Sequence, residues 1–233
     1  MTVLARELLP LLEDAEPGEA LRKACENANG VTWREASDSG LEGAATTLVV
    51  ALVDDSNNLW LANVGDSRAY VVGDGRMTQL TQDHSWVGEQ VRSGRMTPAE
   101  ARSSDRRNLI TRSVGFSELV EVDLQGPLRL QAGETLILCS DGLYDQVSDD
   151  EIAAVAAEMN PDDAASGLVE MANERGGPDN ISVVVCAVGR SPLAPQRASS
   201  GARRPPALTR FWPVILLIGL AAVSALTALF VLN

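Results

Sequence analysis

The run from Phe211 to Leu232, FWPVILLIGLAAVSALTALFVL, constrains this chain more than any other feature: it holds 22 residues and not one charge. As a helix rising about 1.5 Å per residue it would reach roughly 33 Å, enough to cross the hydrocarbon core of a bilayer. Phe211 and Trp212 stand at one border, where aromatic side chains favour the headgroup level. Pro213 falls in the first turn, where its missing N–H costs little. A buried core helix of that length would show a polar face, and this run has none. The sequence therefore predicts a single C-terminal transmembrane helix over 211–232. The positive-inside rule then puts the arginine-bearing flank, and the body with it, on the cytoplasmic side of the cell membrane. The opening MTVLARELLPLLEDAEP has no basic start, no long apolar run and no cleavage site, so no signal peptide is expected to oppose that orientation.

Charge divides the rest. The chain of 233 residues carries 19 basic and 32 acidic side chains. Arg197, Arg203, Arg204 and Arg210 are the only charges beyond Arg190, so residues 1–190 hold 15 basic against all 32 acidic groups, a net of −17. An acidic body is a poor partner for phosphate backbones, and nucleic acid is not expected. With 45% hydrophobic residues the body can bury a core, which excludes a disordered chain. Residues 191–210, rich in Pro, Ala, Ser and Arg, read as a flexible tether between body and anchor. Cys25, Cys139 and Cys186 form no CxxC pair and read as reduced, buried and inert thiols.

Within the body, apolar spacing predicts two helices over residues 3–36, broken at Pro17, and the period then changes. Strands are expected at Thr46–Val53, Leu59–Val64 and Arg68–Val72, so closely spaced that they suggest one antiparallel meander. Residues 81–107 are polar and broken, with short helices at Ser85–Ser93 and Thr97–Ala101, and resemble a surface insertion. Further strands are expected at Leu109–Arg112, Val120–Leu124, Thr135–Ser140 and Ile181–Val188, with helices at Asp149–Met159 and Asp162–Glu174 each opened by an Asp. Strands interrupted by helices and closed by a strand make an α+β body.

Three carboxylates stand at strand ends close to glycine: Asp66 in ANVGDSRAY, Asp141 in LILCSDGLYD and Asp179 in GGPDNISVVV. Carboxylates gathered at one rim repel each other unless a hard cation neutralises them, and oxygen-only ligands favour Mg²⁺ or Mn²⁺ over Zn²⁺. Taken singly, such Gly-Asp pairs are also ordinary turn residues. Spacing alone leaves both readings open.

Five segments in order, LANVGDSRAYVV, LTQDHSWV, RNLITRSVG, GETLILCSDGLYD and GGPDNISVVV, resemble the later motifs of the PPM-type, metal-dependent protein phosphatases, the protein phosphatase 2C family. The segment over 85–107 resembles the flap of its bacterial membrane-tethered members, which oppose Ser/Thr kinases. The resemblance implies a β-sandwich flanked by helix pairs, with a binuclear Mn²⁺ or Mg²⁺ centre at one rim. Asp141 and Asp179 match the family's metal aspartates, and Asp66 and Asp145 match the ligands of a weaker third ion. A metal-bound water would then attack the phosphoester, with no side-chain nucleophile. His84, the single histidine, is readable as a proton donor or as a packing residue, and packing is the expectation.

The match departs from the family at its start. The family's opening strand with a phosphate-binding Arg, its Asn-Glu-Asp motif and its Asp-Gly-Met-Gly-Gly motif find no counterpart, and LEGAATTLVV replaces the usual Gly-Met-Gly-Thr-Thr-Leu. Asp54 and Asp55 lie in a hairpin turn and cannot substitute. The sandwich is thus expected to be N-terminally incomplete, with open strand edges and apolar faces, through a misplaced start or a degenerate form. The expected function is removal of phosphate from phosphoserine and phosphothreonine proteins, a Ser/Thr kinase among them, with little turnover by these residues alone. The alternative is an inactive, membrane-tethered pseudophosphatase that binds such partners.

Overall fold

The computed structural model describes residues 3–189 and 214–221. Two four-stranded sheets, antiparallel throughout, face each other. The first runs β5-β2-β1-β8, with β1 at Thr46–Val53, β2 at Asn58–Val64, β5 at Asp123–Arg129 and β8 at Val214–Ala221. The second runs β4-β3-β6-β7, with β3 at Arg68–Gly73, β4 at Arg76–Gln79, β6 at Thr135–Cys139 and β7 at Val183–Ala187. Helices α1 (Val3–Asp14) and α2 (Pro17–Asp38) cover the outer face of the first sheet. Two later helices, Asp149–Glu158 and Pro161–Glu174, cover the second. The expected α-β-β-α order is present.

Period-2 alternation explains why β1 and β6 read as continuous apolar runs. On β1, Val49 and Ala51 point between the sheets while Leu48, Val50 and Leu52 meet α1 and α2. On β6, Leu136 and Leu138 point between the sheets while Ile137 and Cys139 meet the later helix pair. Strands with both faces covered need apolar residues at every position. Each fully buried Leu or Ile contributes on the order of 1.5–3 kcal/mol. Cys25 and Cys139 are buried as expected, and burial pushes both thiols up to about 12; Cys186 is only half-buried.

Several expectations need correction. The first hairpins are not one meander: β1 pairs with β2, but β3 and β4 belong to the other sheet, so the chain changes sheets at residues 65–67. Leu109–Arg112 makes only an isolated bridge from Ile110 to Ser85, because both its flanks turn away to close the insertion. The strand expected at Val120–Leu124 begins at Asp123, its first two apolar residues packing instead against the α1/α2 core. The later helices are capped by Ser148 and Asn160, whose side chains accept from Glu151 and Asp163 N–H, rather than by the Asp residues that follow.

The largest difference is at the C-terminus. Where the sequence predicts a spanning helix, Val214–Ala221 forms a strand antiparallel to β1, in register from Thr46↔Ala221 to Val53↔Val214. With β2 on one side only, β1 would present a row of free N–H and C=O groups, and a β-prone Val-Ile-Leu segment satisfies them. The expected open edge of β1 is thereby covered. Among the described residues no helix is long and apolar enough to cross a membrane. The tether at 191–210 and the remainder of 211–232 lie outside the described residues.

Candidate metal centre

The crossing between sheets builds the first part of the site. Gly65 has φ +107°, a conformation that favours glycine, and a Cβ there would lie 2.5 Å from Thr47 Cγ2. The next two residues are buried: Asp66 is 6% exposed, and the Ser67 and Thr47 hydroxyls lie 2.8 Å apart. Asp66 lines a cleft of about 490 Å³.

The second part follows β6. Asp141 opens α5 (Asp141–Tyr144), a single turn that the sequence reading missed, and its Oδ1 accepts from the Gly142 N–H at 2.9 Å. Asp145 ends the same turn, its N–H donating to the Asp141 carbonyl. Ser140 ties this turn to the loop before β7: its hydroxyl donates to the Asn180 carbonyl at 3.1 Å and accepts from the Ser182 N–H at 3.0 Å. That loop carries Asp179. Gly142 permits the approach, since a Cβ on it would sit 2.5 Å from the Asn180 carbonyl oxygen. Gly142→Ala should therefore force the two loops apart, costing about 1–3 kcal/mol in urea unfolding. An unchanged midpoint would show that the loops are not held this tightly.

The carboxylates sense each other. Burial first, then the charge of Asp141, pushes Asp66 up to about 7. Asp141 is raised by burial, then by Asp179 and by Asp145. The surrounding protein also raises Asp145, against the pull of Arg107 and Arg68. Asp141 and Asp145 line the cleft with Asp66, while Asp179 is exposed on the adjoining loop. The structure thus brings Asp66, Asp141 and Asp145 to one cleft and leaves Asp179 outside its lining, on the loop beside it.

Residues not singled out in the sequence complete it. Arg68 grips Asp83 through two bonds, Nε to Oδ1 at 3.0 Å and Nη2 to Oδ2 at 2.7 Å, and donates to the Tyr70 hydroxyl at 3.0 Å. Its guanidinium stacks 3.6 Å over the Tyr144 ring, and the Tyr144 hydroxyl donates to the Asp66 carbonyl at 3.0 Å. Tyr144 so joins the two halves of the site. The opposite wall comes from the 86–107 segment, with α3 (Trp86–Arg92) and α4 (Pro98–Arg102), and it brings Arg92, Arg102 and Arg107 to the cleft. The clustering of arginine in that segment was the available signal.

His84 does not face the cleft. The Gly65 N–H donates to its Nδ1 at 3.0 Å, so the proton is on Nε2, which lies 3.0 Å from Asp123 Oδ2. The expectation of packing over proton donation agrees with this placement. Asp54 accepts from the N–H groups of Ser56 and Asn58 in its turn, as expected of a hairpin residue.

Carboxylates at the α5 turn, the sheet crossing and the loop before β7 suit a hard divalent cation in kind, and their mutual repulsion is the charge such an ion would neutralise. In number they fall short of a two-ion centre. Among the described residues no three His, Cys, Asp or Glu side chains close around a common point. The amide oxygen of Asn63, two residues before the crossing glycine, is buried without a hydrogen-bond donor.

The family profile described as Protein phosphatase 2C matches residues 4–181. The serine/threonine protein phosphatase PstP of Mycobacterium tuberculosis is 38% identical over 182 residues, which cover 76% of this chain and 35% of PstP. The chain therefore spans about a third of the length of that relative. The crystal structure of the serine/threonine phosphatase Stp1 from Staphylococcus aureus superposes with a TM-score of 0.71 at 32% identity, covering 80% of this chain and 76% of that one. A structure of the PstP catalytic domain in complex with two manganese ions superposes with a TM-score of 0.63 at 33% identity, covering 78% and 77%. With the sandwich, the carboxylate rim and these likenesses in agreement, the chain belongs to the protein phosphatase 2C family.

Proposed function

We propose that this chain removes phosphate from phosphoserine and phosphothreonine proteins, with Mn²⁺ or Mg²⁺ at the Asp66, Asp141, Asp145 and Asp179 rim, and opposes a Ser/Thr kinase at the membrane. The observation that carries this reading is the cleft itself, lined both by the mutually repelling Asp66, Asp141 and Asp145 and by Arg92, Arg102 and Arg107. Bound divalent ions supply a nucleophilic water at neutral pH. The chain's own residues bind and orient: Asp141 and Asp179 are assigned to the main ions, Asp66 and Asp145 to a weaker one. The arginine wall offers planar donors that match phosphate oxygens. No cysteine lines the cleft, and Cys25 and Cys139 are held as thiols.

A second reading, a phosphoprotein-binding module without turnover, is favoured by the shortfall of converging carboxylates. The two separate in one assay. With millimolar Mn²⁺, a phosphothreonine peptide should release phosphate and a phosphotyrosine peptide should not. Retention of the phosphothreonine peptide without release would favour the binding module.

Membrane attachment rests on the uncharged run 211–232, long enough to span as a helix. Pairing of Val214–Ala221 with β1 and insertion of the same residues in a bilayer exclude each other. Deleting 211–233 should abolish flotation with lipid vesicles, and flotation that persisted would assign the attachment to another surface.

A further inference from the structure

We propose that His84 is a positioning residue, its Nδ1 fixing the Gly65–Asp66 turn so that the Asp66 carboxylate faces the cleft. The inference rests on the reading of Asp66 as a cation ligand and adds what orients it. His84 and Gly65 bind each other twice: the Gly65 N–H donates to His84 Nδ1 at 3.0 Å, and the His84 N–H donates to the Gly65 carbonyl at 2.9 Å. A turn held at both its N–H and its C=O by one residue cannot swing about either bond. Among the described residues, the side chain that also reaches that carbonyl is Asn63, at 3.4 Å.

The far side of the imidazole fixes which nitrogen accepts. Nε2 lies 3.0 Å from Asp123 Oδ2 and 3.1 Å from Arg112 Nη1, and the same Nη1 donates to Asp123 Oδ1 at 2.6 Å; with the Gly65 N–H already donating to Nδ1, the ring proton is on Nε2, toward Asp123. A carboxylate beside Nε2 keeps the proton there and leaves the Nδ1 lone pair for Gly65. The backbone of His84 also joins the base of the insertion, accepting from the Thr111 N–H at 2.8 Å. Asp66 depends on this frame because, among the described residues, no side chain donates to its carboxylate, while the Tyr144 hydroxyl donates to its carbonyl at 3.0 Å. Its direction is set by the turn.

The roles of the two nitrogens predict an asymmetry that a filler role does not. An asparagine amide oxygen sits near the place of Nδ1 and can still accept from Gly65. A glutamine amide reaches instead toward Asp123 and leaves the Gly65 N–H without an acceptor. The test titrates Mn²⁺ into the full chain, extended into the millimolar range and followed by the electron paramagnetic resonance of free Mn²⁺. Thermal unfolding of the metal-free proteins runs alongside. His84→Asn should stay within about threefold of the wild-type Mn²⁺ affinity while His84→Gln loses about tenfold, near the loss in Asp66→Asn, although both His84 variants melt at similarly lowered temperatures.

Asp123→Ala leaves the histidine in place and frees its tautomer, so it serves if the His84 variants do not fold. It should weaken Mn²⁺ about two- to fivefold. Equal losses in His84→Asn and His84→Gln, or no loss in His84→Gln and Asp123→Ala, overturn the positioning role while Asp66 remains a ligand. If Asp66→Asn itself binds Mn²⁺ like wild type, Asp66 is no ligand, and both the inference and the assignment beneath it fall.

Discussion

Asp141→Ala should lower Mn²⁺-dependent hydrolysis of a phosphothreonine peptide at least 100-fold, an added barrier of about 2.7 kcal/mol, while leaving the metal-free fold intact. Asp141 stands where β6 ends and α5 begins, repelled by both Asp179 and Asp145. Its charge also raises Asp66. Its removal deletes a cation ligand and also relieves repulsion in the metal-free protein. The bonds lost are local, chiefly the one from the Gly142 N–H to Oδ1. A carboxylate at a helix start contributes only about 0.3–1 kcal/mol, so unfolding free energy should move by no more than about 1 kcal/mol. Hydrolysis within a fewfold of wild type would remove Asp141 from the site.

The second large effect concerns stability against pH. Asp66 is 6% exposed and is pushed up to about 7 from the ordinary carboxylate value, so the fold disfavours its ionised form. Below about pH 4 the group is protonated in both folded and unfolded chains and costs nothing. Between about pH 4 and 7 the unfolded chain is ionised while the folded one keeps its proton, so stability falls across that window and levels off once the folded group ionises above 7. The full displacement corresponds to about 4 kcal/mol, and 2–4 kcal/mol is the order expected. Urea unfolding with chelator at pH 5, 6, 7 and 8 should show wild type losing stability from pH 5 to 7 and then levelling off. Asp66→Asn should fall less steeply, keeping only the decline due to the raised Asp141 and Asp145, and should be the more stable protein at pH 8. Parallel curves for the two proteins would show that Asp66 carries no such burden.

These effects turn on residues the sequence made visible only in part. Asp66, Asp141 and Asp179 stood out because each adjoins an apolar strand and a glycine or a turn, and the structure gives the glycines a reason: Gly65 packs on Thr47, and Gly142 on Asn180. The core strands were legible because β1 from Leu48 to Val53 and β6 from Leu136 to Cys139 are unbroken apolar runs. What spacing hid was long-range. Nothing local says that the chain changes sheets at Gly65, because either sheet would accept strands of that composition. Arg68, Asp83 and Tyr144 acquire meaning only when residues 15 and 76 positions from Arg68 meet it. Residues Val214–Ala221 satisfy the hydropathy of a helix and the β-propensity of a strand together, and the unpaired side of β1 decides their placement.

Mn²⁺ ions counted at the rim test the metal assignment most directly. Equilibrium titration of the wild-type chain at pH 7.5, read by the resonance of free Mn²⁺, should give at least one ion per chain. The double variant Asp66→Asn/Asp141→Ala should bind none over the same range, with phosphopeptide hydrolysis lost in step. Equal binding by the double variant, or hydrolysis by wild type that survives complete chelation, would contradict it.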